Sequence, residues 1–186
     1  MFFSQGRGVM TRIVRWFCRS RYLSHSVGCF SIFEADVILE ASEKGVQFAT
    51  AKHFYDNNTI GAIVRPVSGP LATREGMSEH LTWLINKYGE DKYDWMAAGS
   101  LGIFNRMKWL WAIWGTWLRK MWSKKAVHCT ELWVNLLQHA EYPAVSGMSP
   151  ELSDPLRLLK ALQEDKTDWL VVNITPAVQK EIDNID

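Results

Sequence analysis

The chain has 186 residues and a formal charge of +1, from 21 basic against 20 acidic side chains, and 47% of it is hydrophobic. That length suits one domain with a buried core, and the composition excludes a disordered tail, a collagen-like fibre and a disulfide-stapled miniprotein. The near-neutral charge argues against a dedicated nucleic-acid module, whose footprint is a marked basic excess.

From Met1 to Arg21 the chain carries five arginines and no acid. It lacks an uninterrupted apolar core followed by a small-residue cleavage site, so it reads as mature protein and a cytoplasmic location is expected. Thr11 to Arg19 predicts a short helix with Ile13, Val14, Trp16 and Phe17 as its apolar contacts. Residues 26–33, 37–41, 46–49 and 60–65 are rich in β-formers and predict four short strands. Turns are expected at Glu34-Ala-Asp36 and Glu43-Lys-Gly45, and the tight connections point to an antiparallel sheet.

Pro66 to Pro70 breaks the pattern, and Thr73 to Tyr88 is helical, with Met77, His80, Leu81, Leu84 and Ile85 on one face and Gly89 as its cap. Residues 93–102 predict a small-residue helix or turn. Residues 103–125 read as an insertion, and Cys129 to Ala140 as a helix with Leu132, Val134, Leu136 and Leu137 available to the core. Ser149-Pro150 opens another helix, continued by 155–163, and the residues after Trp169 read as a short, acidic, partly frayed tail. The expected architecture is α+β: one domain over 1–170, with the insertion at 103–125 and a C-terminal tail at 171–186.

The three cysteines, Cys18, Cys29 and Cys129, give no disulfide framework, and no C-x-x-C or H-E-x-x-H sequence is present. No metal or cofactor is expected. Cys129 stands out because it opens a predicted helix, where backbone N–H groups and the helix dipole favour a thiolate. A thiolate nucleophile also needs a proton shuttle and a group to orient it. His25, at the start of the first predicted strand, is a candidate base. Glu40, at the end of the second, is a candidate orienter if antiparallel pairing brings the two together. His128 is an alternative base, and Glu34 and Asp36 are rival orienters in a predicted turn. Cys18 and Cys29 read as core thiols, and His53, His80 and His139 as surface or satisfied histidines.

At these residues the chain resembles the circularly permuted branch of the NlpC-type papain-fold hydrolases, which includes bacterial permuted amidases and relatives of lecithin:retinol acyltransferase. Ile13-Val-Arg-Trp followed by Tyr22-Leu-Ser-His25-Ser-Val-Gly28 is similar to that branch's Ile/Arg helix and Ser-His-x-Gly strand start. Val37-Ile-Leu-Glu40-Ala41 with Gly45-Val46, then Gly89-Glu-Asp-Lys-Tyr93-Asp94-Trp95, follow in order. Cys129-Thr130-Glu131-Leu132 matches the nucleophile motif, and Ser149-Pro150-Glu151-Leu152 the trailing one. The resemblance covers roughly residues 11–160, and His25 precedes Cys129, as the permuted branch requires.

The resemblance implies a permuted papain-like fold, a small antiparallel sheet or half-barrel packed on the cysteine-bearing helix. It implies Cys129 as nucleophile, His25 as general base and Glu40 as orienting residue, with Tyr22, Trp95 and Thr130 at the substrate. The Cys129 N–H would help form the oxyanion hole. Leu23 separates Tyr22 from Ser24-His25, where the family often has Tyr-Ser-His; this puts any role of Tyr22 beside the oxyanion in question.

The insertion carries Trp109, Trp111, Trp114, Trp117 and Trp122 among six cations and no acid. Its uninterrupted apolar-and-neutral stretch, 109–118, is short of the ~20 residues that span a bilayer. Three readings stay open: packing on the core or a partner subunit, contact with a membrane interface, and a carbohydrate-stacking platform.

The expected activity is a cysteine hydrolase acting on an amide or peptide bond, with peptidoglycan among the candidate substrates. The alternatives are a lipid acyltransferase or thioesterase, and a non-enzymatic component of a larger assembly such as a phage particle, with the tryptophans as its interface. Expected partners are therefore a peptide, cell-wall or lipid-like substrate and a membrane surface or protein, and no nucleic acid.

Overall fold

β-branched and aromatic residues are concentrated in the segments that form the strands. The computed structural model describes residues 1–6, 20–32, 35–42, 45–89, 92–93 and 126–185. In chain order its first elements are β1 (Phe2–Gly6), β2 (His25–Ile32), β3 (Ala35–Ser42), β4 (Gly45–Thr50), α1 (Ala51–Asn57), β5 (Asn58–Pro66) and α2 (Arg74–Tyr88). The two-residue strands β6 (Lys92–Tyr93) and β7 (Ala126–Val127) follow, then α3 (Cys129–His139), α4 (Pro155–Glu164), β8 (Trp169–Ile174) and α5 (Pro176–Ile182). The described residues thus form an α+β structure. Its main sheet has six antiparallel strands in the order β4-β3-β2-β1-β5-β8, and β6 and β7 pair in parallel.

The larger core lies between this sheet and α3 and α4. Leu132, Leu136, Leu137, Leu158, Leu159 and Leu162 are almost fully removed from solvent against Phe3, Leu39 and Val64. A smaller cluster, Val27, Ile38, Ala51 and Phe54, covers the other side of the strands with α1. The four strands expected from the sequence form, each extended at one or both ends. Asp36 belongs to the β2–β3 ladder opposite Ser31, not to a turn.

Other expectations are corrected. Ile85 is 39% exposed; the buried positions of α2 are His80, Leu84 and Tyr88, one strict i, i+4, i+8 row. Pro150–Leu152 is a single 3-10 turn, and α4 is a separate helix because Asp154 caps it afresh, accepting from the N–H groups of Leu156 and Arg157. Residues 171–185, read as a tail, supply most of β8 and all of α5, whose Val178 and Ile182 are buried. The expected helix at Thr11–Arg19, the insertion 103–125 with Trp109, Trp111, Trp114 and Trp117, and Trp95 lie outside the described residues.

Candidate active site

The local sequence His128-Cys-Thr-Glu131 fixes the start of α3 by a reciprocal cap. His128 Nδ1 accepts from the Glu131 N–H at 3.2 Å, and a Glu131 carboxylate oxygen accepts from the His128 N–H at 3.3 Å. The spacing is that of a capping box with histidine in place of serine or threonine. Cys129 is therefore the first helical residue, where the N–H groups have no intrahelical acceptor and the dipole favours negative charge.

One turn on, Trp133 is fully buried and donates its Nε1–H to the Ser26 carbonyl at 3.0 Å. Gly28 makes room for that indole: a side chain there would meet the Trp133 ring and come within 2.6 Å of Phe30. The absence of a Cβ at Gly28 thus sets how closely the cysteine helix approaches β2.

β2 brings the imidazole. Its ladder with β3 runs from Ile32↔Ala35 to Gly28↔Leu39 and stops there; the earlier residues of β2 pair with β1, with His25 opposite Ser4. Glu40 lies one residue past the last β2–β3 pair on β3, and His25 three residues before it on β2. Their side chains bridge that opening, with His25 Nε2 at 2.9 Å from a Glu40 carboxylate oxygen. Gln47, opposite Glu40 on β4, donates to the other carboxylate oxygen at 3.5 Å. With Nε2 engaged by Glu40, Nδ1 is the nitrogen left for Cys129, whose sulfur and the His25 ring act on each other electrostatically.

The electrostatics match this geometry. Burial opposes a charge on His25, but the Cys129 sulfur and then Glu40 outweigh it and raise the imidazole to about 10. Burial would likewise raise the Cys129 thiol. The neighbouring His25 and His128 rings overcome it and hold the thiol well below its usual range. Burial would raise Glu40, and the hydrogen bond from His25 reverses this to hold the carboxyl down. All three shifts run the same way, favouring a charge on the sulfur, on the ring and on the carboxylate.

His128 is buried beside the same sulfur, with Nε2 at 3.4 Å from the Glu151 carbonyl. Burial opposes its charge, whereas the hydrogen bond with Cys129 and the Glu131 carboxylate favour it and raise the ring. A second proton would have to occupy Nδ1, however, and displace the Glu131 N–H. The cap is satisfied by the neutral Nε2–H form, which gives His128 a capping role at the start of α3. The Glu151 contact also draws the Ser149-Pro150-Glu151-Leu152 segment up to the site.

The remaining candidates separate. Thr130 is fully buried, its hydroxyl at 3.4 Å from that of Ser26 and 3.9 Å from the Cys129 sulfur, so it supports the sulfur and does not face solvent. Tyr22 is 41% exposed in the segment leading to His25. Cys29 is half-buried, and burial followed by the Asp36 charge pushes its thiol up, the opposite of Cys129. His80, His139 and Trp83 form an aromatic cluster, with Trp83 stacked on His139 at 3.9 Å. His139 ends α3, ~15 Å from Cys129 by helical rise. A cavity of about 100 Å³ between β2, β5 and α3 is lined by Gly28, Arg65, Trp133, Leu136 and Trp169 but not by Cys129, His25 or Glu40.

Sequence reasoning missed Ser26, Gln47 and the capping role of His128. Only the last left a signal, the His-x-x-Glu spacing. Among the described residues no group of side chains is arranged to hold a metal ion, and no helix is long and apolar enough to cross a membrane. No family model matches the chain, and no curated protein or solved structure matches it either.

Proposed function

We propose that this protein is a cysteine hydrolase that cleaves an amide or peptide bond through a thioester on Cys129. The observation that carries the reading is the meeting of Cys129, His25 and Glu40, drawn from three separate elements, in nucleophile–base–orienter order. The order along the chain, with histidine and carboxylate before cysteine, supports the circularly permuted papain-like arrangement that the sequence resembles.

In this reaction the Cys129 thiolate attacks the carbonyl carbon, and the carbonyl oxygen takes up the negative charge. The N–H of Cys129, ahead of the Glu131 and Leu132 N–H groups that His128 already engages, is the donor assigned to that oxyanion. Collapse of the adduct expels the amine, which takes the proton held on His25, and leaves the acyl group on sulfur. Neutral His25 then removes a proton from water as the water attacks the thioester. The acid leaves, and sulfur and ring return to the ion pair. Glu40 keeps the imidazole oriented and stabilises its charge throughout.

Labelling with a thiol-directed acyl probe, with the modified residue mapped by mass spectrometry, tests the reading. The expected result is an acyl group on Cys129, lost in Cys129→Ala and in His25→Ala. Labelling confined to Cys29, or equal labelling of the two, would overturn it.

A further inference from the structure

We infer that Glu181, on the last helix of the described structure, is a positioning residue for His25. Its carboxylate clamps the segment that leads into β2. One oxygen accepts from the Ser20 hydroxyl at 2.6 Å and the other from the Arg21 N–H at 2.7 Å. The Ser20 oxygen in turn accepts from the N–H groups of Leu23 at 2.8 Å and Tyr22 at 3.2 Å. Ser24 continues the series by donating its N–H to the Ser4 carbonyl at 2.9 Å. The main chain is thereby tied down at four of the five residues preceding His25: Glu181, 160 positions from Arg21, holds Arg21 directly and Tyr22 and Leu23 through the Ser20 hydroxyl, while Ser4 holds Ser24.

The helix that carries Glu181 is itself anchored. Thr175, its cap residue, donates its N–H to the Gly61 carbonyl on β5 at 2.9 Å. Gly61 also lies where a side chain would come within 2.7 Å of Leu23 and 3.0 Å of Val178, so Leu23 and α5 pack against the same spot on β5. Gln163 on α4 donates to Gln179 at 2.7 Å, and Lys160 donates to the Ile185 carbonyl at the same distance. Glu181 is thus a fixed post. Fixing it restricts the backbone on which the imidazole is aimed, and a displacement of about 1 Å in a reacting group can cost ~100-fold in rate.

This role rests on the thiolate–imidazolium reading above, and the test separates the two. Alkylation of Cys129 by iodoacetamide is followed across pH, with Cys29 as internal reference. In Glu181→Ala both acceptor oxygens are lost. The expected result is a ~10-fold or greater slowing of Cys129 alkylation near neutral pH. Its pH midpoint moves up toward that of an ordinary thiol, while Cys29 is unchanged. Glu181→Gln keeps the shape and one acceptor oxygen and gives an intermediate shift; it also serves if the alanine variant does not fold. Ser20→Ala, which removes the same link from the other side, reproduces the shift. Wild-type pH profiles in all folded variants would overturn the positioning role. A wild-type Cys129 that alkylates as an ordinary thiol would overturn the underlying reading of the site instead.

Discussion

The indole of Trp133 donates its hydrogen to the carbonyl of Ser26, the residue that follows the candidate base. One bond therefore joins the cysteine helix to the histidine strand a single turn beyond Cys129. It lies in the largest fully buried side chain of the core, over a glycine with no room for a methyl group.

Gly28→Ala tests that join directly. The added carbon overlaps the Trp133 ring, and overpacking of this kind costs ~1–3 kcal/mol. The expected outcome is a lower urea midpoint with an unchanged m-value, together with slower alkylation of Cys129 as α3 is pushed off β2. Trp133→Ala is harsher, at ~3–5 kcal/mol.

The ion pair predicts how His25 answers to the loss of sulfur. The Cys129 charge is the leading cause that raises the imidazole to about 10. In Cys129→Ala only Glu40 remains to favour the charged ring, so the imidazole titrates lower than in wild type. NMR titration of the His25 ring protons reads this shift; an unchanged titration would contradict the pairing.

Stability should follow pH with two opposite signs. His25 is raised from 6.5 to about 10, so the folded state keeps a proton that the unfolded chain releases. Its contribution is complete below 6.5 and is lost as pH rises through about 10. Glu40 is lowered from 4.5, so its contribution is complete above 4.5 and is lost as pH falls through its depressed value. Cys129 is lowered from 9.0, so its contribution grows with pH up to 9.0 and offsets the loss from His25 above 6.5. The urea-midpoint gap between wild type and a Cys129→Ala/His25→Ala double variant is accordingly widest between pH 6.5 and 9.0.

Glu40→Gln removes the charge and preserves the shape. The amide holds the ring less firmly and does not stabilise its positive form. A loss of ~10²–10⁴-fold in kcat, with a smaller change in KM, is expected for a group that works through the acid–base residue.

His128 is distinguished from a base by what replaces it. Asparagine caps helices well and alanine does not, a difference of about 1 kcal/mol. His128→Asn keeps turnover within a few-fold, and His128→Ala lowers the melting temperature. Abolished turnover in a stable His128→Asn would assign the ring a proton-transfer role.

The three elements that carry the site were legible because each rests on short-range rules. The β-rich runs at 26–33 and 37–41 predict the strands that carry His25 and Glu40. The apolar positions Leu132, Val134, Leu136 and Leu137 predict α3, though the His128 cap that starts it was missed. The meeting itself was legible only as a possibility of antiparallel pairing, since Glu40 lies past the end of the β2–β3 ladder and reaches His25 through its side chain. Other elements depend on partners far away in the chain. α1 is seven residues long, held by the Thr50 cap and by Phe54 under the sheet. β8 has a β-rich sequence, Trp-Leu-Val-Val-Asn-Ile, hidden by its place in an acidic tail; its pairing with β5 orders it.

The sheet order has a bearing on biosynthesis. His25 and Glu40 leave the ribosome well before Cys129, and β8 and α5 follow it. Until α3 docks on β2, the sulfur has only its sequence neighbour His128 beside it and lacks the His25–Glu40 pair. Under the function proposed above, the nascent polypeptide thus lacks the pair that would arm the sulfur, and closure of the fold is what completes it.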